Sequence, residues 1–223
     1  MRFWGMVVFG VLGTAILLSL GIWQLQRLAW KQEVLRAIES KILAPAVKIP
    51  QTVLPDAHSL LPVRAEGRYK GDTVRVLVSQ KIYGAGYRLI TAFELVDGRT
   101  IMLDRGFTSV RAEMPSTPEG RGQVIGNLQW PQEIDSFTPE NDLAANIWFA
   151  RDVARLAEHL KAEPVLLVLR DSSFETEAAT PLPKMTANIP NDHMNYAITW
   201  FSLALIWLGM SGYFLYRSRD PQS

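Results

Sequence analysis

The chain has 223 residues, 48% of them apolar, a formal net charge of +1 and no cysteine. Lack of thiols excludes disulfides, thiolate catalysis and cysteine-held zinc or iron–sulfur centres, and balanced charge without a basic stripe argues against nucleic acid. So apolar a chain, barely longer than one ordinary domain, points to a part that lies in lipid.

The first element is an uncharged run from Phe3 to Gln26 with Trp4 and Trp23 near its ends. It is long enough for the roughly 20 residues that cross a hydrocarbon core, and its indole rings suit the headgroup layer. A cleaved leader is the alternative. Against it, the basic start is a single Arg2, the apolar part exceeds the roughly 7 to 15 residues of a leader, and the nearest small-x-small site, Ser19 and Gly21, lacks alanine. The run is therefore read as a permanent span. Arg27, Lys31, Arg36 and Lys41 follow it more densely than Arg2 precedes it, which opposes the positive-inside rule, whereas Arg217 and Arg219 near the other end obey it. Long loops translocate largely regardless of charge, so this conflict does not exclude an orientation with both termini in the cytoplasm. Leu25, Leu28, Leu35, Ile38 and Ile42 then recur at helical steps before Pro45, predicting a helical extension over 27–44.

From Leu60 onward the period shortens. "PVRAEGRY", "TVRVLVSQKIY", "YRLITAFEL", "RTIMLDRGF" and "GQVIGNLQW" read as short strands separated by "KGD", "YGAG", "VDG" and "TPEGRG". Asp97 and Gly98 form the strongest hairpin signal among them. "FARDVARLAEHL" predicts a short helix and "EPVLLVLRDS" a last strand, so that 45–174 makes a β-rich extramembrane domain. A proline-containing linker over 175–192 leads to a second uncharged span over 193–216 and a cytoplasmic tail over 217–223, with Asn191 and Asp192 as capping residues. The fold class is an α+β membrane protein: two transmembrane helices, N- and C-terminal, flanking an antiparallel, barrel-like outer domain with one or two helices.

The residues suggest little chemistry. There is no G-x-S-x-G elbow, phosphate loop or H-E-x-x-H pair, and the three histidines, His58, His159 and His193, lie far apart. Glu133 with Asp135, or Asp142 with Asp152, are imaginable acid and base pairs, but among 22 acidic residues such pairs arise by chance. No enzyme is expected, although turnover by the outer domain would revive that class. The exception is His193, an ionisable ring at the lip of the second span. On a helix it shares a side with Tyr196 or Ala197, Trp200, Ala204, Trp207 and Ser211. An imidazole above small residues and flat aromatic walls would suit a porphyrin; equally, the stripe can pack on the first span, where Gly5, Gly10, Gly13 and Gly21 allow close approach.

Four blocks carry more. "GIWQLQRLAWKQ", "GYRLITAFELVDGRTIMLDRGF", "FTPENDLAANIWFARDV" and "NDHMNYAITWF" resemble, in this order, the signature blocks of the Surfeit-locus or Surf-one family. The family's W-Q-x-x-R appears as Trp23, Gln24 and Arg27, and its glycine before an aromatic as Gly67 and Tyr69. N-R-G-W has become Asp104, Arg105, Gly106 and Phe107, and T-P-F has become Thr91, Ala92 and Phe93. The block N-x-H-x-x-Y-A-x-T-W-F is matched by Asn191, His193, Tyr196, Ala197, Thr199, Trp200 and Phe201.

The resemblance implies an assembly factor for haem-copper cytochrome oxidases, in the bacterial inner membrane with its outer domain in the periplasm. It further implies binding of haem a, with His193 as axial ligand to the iron and Tyr196 and Trp200 beside it, and partnership with oxidase subunit I, the haem a synthesis machinery and membrane lipid. Arg27, Lys31 or Lys184 would meet the propionates. The competing class is a scaffold that stabilises an oxidase intermediate without haem, with Trp23, Arg27, Arg105 and Trp148 as contact residues.

Overall fold

The computed structural model describes residues 2–175, 179–183 and 191–218, with the backbone alone for Arg2. Lys184, most of the linker and the tail beyond Ser218 lie outside the described residues. The chain forms two compact units, one from Met1–Glu39 with Thr186–Ser223 and the other from Ser40–Met185.

The first unit pairs α1 (Arg2–Leu43) with α4 (His193–Arg217), both long and apolar enough to cross a bilayer. Burial along α1 follows Val7, Gly10, Thr14, Leu17, Gly21, Gln24 and Leu28, alternating steps of three and four. Along α4 it follows His193, Ala197, Trp200, Ala204, Trp207 and Ser211 in the same rhythm. A 3.5-residue repeat on both partners is the seam of a left-handed helix pair. Small residues let the backbones approach: a Cβ on Gly13 would lie 2.4 Å from the Trp207 Nε1, and one on Gly21 would lie 2.7 Å from the Phe201 ring. The Trp207 indole also donates to the Gly10 carbonyl at 3.1 Å. The stripe of Ala197, Ala204 and Trp207 is thus spent on packing against α1. Gly5 has open space around it and plays no part.

The second unit is a closed barrel of five strands: β2 (Pro62–Gln80), β3 (Gly84–Leu95), β4 (Thr100–Ser109), β7 (Leu166–Ser172) and β5 (Gly122–Gln129), which pairs back onto β2. The short strands β1 (Val47–Lys48) and β6 (Ile147–Trp148) add to β2. Pro55–His58 forms α2 and Val153–Leu160 forms α3. The Asp97–Gly98 hairpin forms as predicted, with Gly98 at φ +87°.

Two expectations need correcting. "PVRAEGRY" and "TVRVLVSQ" are one strand, because Gly71, at φ +72°, takes up the "KGD" segment as a bulge rather than a turn. Nor is the sheet purely antiparallel, since β7 returns through α3 to run parallel with β4. That crossover explains the unbroken apolar runs of β4 and β7. Ile101, Leu103, Leu167 and Leu169 belong to one core cluster, and Met102, Leu166 and Val168 to another that includes Val153, Leu156 and Ala157 of α3. Helix α3 starts on Asp152, whose carboxylate accepts from the Ala154 and Arg155 amides, and ends on Lys161 in the left-handed region.

Candidate functional site

Two constellations stand out, one in each unit. In the barrel, β4 carries "DRGF" across a bulge opposite Leu89 and Ile90. The Asp104 side chain is fully buried; its Oδ2 accepts from Arg88 Nε at 2.7 Å and faces Arg151 Nη1 at 3.5 Å, while its Oδ1 accepts from the Gly106 amide at 3.1 Å. Arg151 also ion-pairs with Glu133, and Arg88 donates to the Leu182 carbonyl at 3.1 Å. Four charges of alternating sign, Glu133, Arg151, Asp104 and Arg88, run from surface to interior. Partial burial pushes the Glu133 carboxyl up, but hydrogen bonds and charge from Arg151 outweigh this and hold it below the ordinary glutamate range.

The sign of the pH effect follows. A carboxyl whose folded pKa is depressed contributes its stabilisation above the unfolded value, about 4.5, and loses it as pH falls through the folded value. Glu133→Gln should therefore lower the thermal midpoint at neutral pH, and the gap between the two proteins should close as melts are repeated at pH values progressively below the ordinary glutamate range.

Of the residues expected to make a contact surface, Arg105 and Trp148 do not. Arg105 is wholly buried, stacked over Tyr69 at 5.2 Å and donating to the Ser116 carbonyl at 2.8 Å. Trp148 is 3% exposed, and its ring meets His159 edge-on at 5.4 Å. The bulge turns Arg105 inward, and β6 lays Trp148 under α3. The imagined acid pairs are structural as well: Asp152 caps α3, Asp135 accepts from the Phe137 amide and the Thr138 hydroxyl, and Asp142 accepts from the Ala145 amide.

The helix unit holds the other constellation. His193 opens α4, and its Nδ1 lies 2.8 Å from Oε1 of Gln24, which is 8% exposed on α1. Two of the resemblance blocks thus meet in one hydrogen bond. The amide oxygen facing the ring is an acceptor, an arrangement satisfied by the tautomer with its hydrogen on Nδ1. Trp200 is half-buried two turns along, while Tyr196 and Trp23 are exposed on the flanks. The exposed Arg27 guanidinium sits 4.1 Å over the Trp30 ring. Asp192 stands at the N-cap position of α4 without a side-chain capping bond. Elsewhere, His58 Nδ1 accepts the Leu54 amide and His159 packs on Trp148. No cluster of three metal-ligating side chains occurs among the described residues.

Arg88, Arg151 and the role of Gln24 had no signal in the sequence beyond, for Gln24, its place in a motif. Each acts through a partner distant along the chain.

The SURF1 family profile matches residues 11–205. The SURF1-like protein of Rickettsia prowazekii is 30% identical over 225 residues, covering 94% of this chain and 88% of its own. The Surfeit locus protein 1 of Homo sapiens is 29% identical over 212 residues, with 83% and 69% covered, and the SURF1-like protein of Rickettsia felis is 27% identical over 200, with 85% and 88% covered. A match over nearly the whole chain, spanning both helices and the barrel between them, places this protein in the SURF1 family.

Proposed function

We propose that the protein assists assembly of a haem-copper terminal oxidase in a bacterial inner membrane, holding haem a through His193 for insertion into subunit I, with its barrel on the periplasmic side. Family membership supports the role in cytochrome oxidase assembly. The observation that carries the haem reading is the part-buried hydrogen bond between Gln24 and His193 at the end of an apolar helix seam. It fits a ligand to the iron, because the ring is held in one orientation and has a nitrogen with no partner among the described residues. Haem a, when bound, supplies an iron that takes such a nitrogen and broad apolar faces that take aromatic contact. Trp200 and the exposed Tyr196 are the aromatic side chains nearest in sequence on the same helix. The seam below is closed by Ala197, Ala204 and Trp207, so the group would be held beside the helix pair and not between the helices.

The test is an absorption spectrum of the full-length protein, purified in mild detergent from cells that make haem a, beside His193→Ala at equal folded yield. A haem band in the first and none in the second is expected. Bands of equal strength would remove His193 from the site.

A second reading has its own observation. The loop between β5 and β6 exposes Ile134, Phe137 and Leu143, with Phe137 90% accessible. Exposed apolar side chains of this size suit a scaffold that holds a client subunit. Under this reading the complex with subunit I forms normally in cells unable to make haem a, and the haem reading requires that it does not.

A further inference from the structure

The helix seam does more with His193 than place it. Gln24 and His193 both occupy seam positions, and their separation is fixed by the contacts beyond them, Phe201 on Gly21, Trp207 on Gly13 and the indole bond to Gly10. A primary amide this deeply buried is costly unless hydrogen-bonded, and the His193 ring is its partner at 2.8 Å. An amide oxygen is only an acceptor, so a ring nitrogen facing it must carry hydrogen.

Resting on the proposed haem ligation, we infer that Gln24 is a positioning residue that holds the hydrogen of His193 on Nδ1 and thereby presents a bare Nε2 to the iron. A histidine ligand whose other ring nitrogen donates to a fixed acceptor is oriented, locked in one tautomer and made a better donor to a metal. Gln24 supplies that acceptor from the opposite helix. The arrangement is specific to His193. At His58 the pattern is reversed, because Nδ1 accepts the Leu54 amide hydrogen at 2.9 Å and the ring hydrogen is left on Nε2. An interhelical clamp needs only the bond to Gln24, whereas an iron ligand needs in addition that Nε2 be bare and open to the metal.

The experiment uses the full chain, haem-free, in detergent micelles, with its histidine ring nitrogens labelled by ¹⁵N and read by NMR at a pH where the rings are neutral. His193→Ala assigns the signals. His193 should show a protonated Nδ1 and a bare Nε2, with His58 the opposite, which serves as a control in the same spectrum. Gln24→Met keeps length and removes the acceptor; the His193 signals should then average between tautomers, and retention of added haem a should fall about 10- to 100-fold. Gln24→Glu restores an acceptor oxygen and should recover both the tautomer and retention. Hydrogen on Nε2 of His193 in the parent protein, or tautomer and haem retention unchanged in Gln24→Met, would overturn the inference. A bare Nε2 in a protein that retains no haem a would leave the tautomer lock standing and sink the ligation reading instead.

Discussion

Asp104→Ala is expected to destabilise the barrel by about 3 to 5 kcal/mol, enough to consume a large part of the stability of a domain this size. The carboxylate has no exposed surface, and Arg88, bonded to it at 2.7 Å, has a side chain only 9% exposed. Truncation leaves the buried Arg88 guanidinium hydrogen-bonded, among the described residues, to a neutral group, the Leu182 carbonyl, and deprives Arg151 of one of its two acidic neighbours. It also removes the acceptor of the Gly106 amide. Breaking a buried pair from one side costs more than the pair contributes, because the remaining charge is stranded. Asp104→Asn, which installs the residue of the family pattern, keeps an acceptor and should cost about 1 to 2 kcal/mol. Denaturant unfolding of the full chain, followed by tryptophan emission, measures both. Equal losses for the two variants would mean that the charge both of them remove carries the whole effect and that the acceptor retained by Asn counts for nothing.

What could be read from the sequence divides along a physical line. Both helices, the alternating strands and the Asp97–Gly98 hairpin depend on neighbours a few residues apart, and composition records such neighbours. Barrel closure, the parallel pairing of β4 with β7 and the inward turn of Arg105 depend on residues distant in sequence. Arg105 is instructive. A charged residue beside a glycine reads as a surface turn, yet the bulge at Asp104–Gly106 rotates it under Tyr69. The same division runs through the candidate site. His193 was legible because an ionisable ring in an apolar run is anomalous whatever surrounds it. Gln24 was legible only as a motif letter, since the ring it serves lies 169 residues away.

Arg105, expected among the contact residues, belongs to a "DRGF" stretch with a structural task, and Gly106→Ala tests that. Gly106 sits at φ +113°, where any side chain is strained by roughly 1 to 3 kcal/mol. A Cβ there would also lie 2.1 Å from the Thr180 carbonyl oxygen and 2.7 Å from Pro181 Cα. These are backbone atoms that no rotamer change can move aside. The segment must shift, and with it go two hydrogen bonds, Phe107 amide to Thr180 carbonyl at 2.7 Å and Thr180 amide to Phe107 carbonyl at 2.9 Å, each worth about 1 kcal/mol. The combined loss should reach about 3 to 5 kcal/mol, with the Thr180 amide becoming fast in hydrogen exchange. Gly98→Ala is the control: φ is +87° but nothing lies within 4 Å of the new Cβ, so only the strain of roughly 1 kcal/mol applies. If the two variants lose the same stability, the return segment is not pinned at Gly106. If Gly106→Ala melts far lower, the motif's task is to clamp residues 179–182 onto β4.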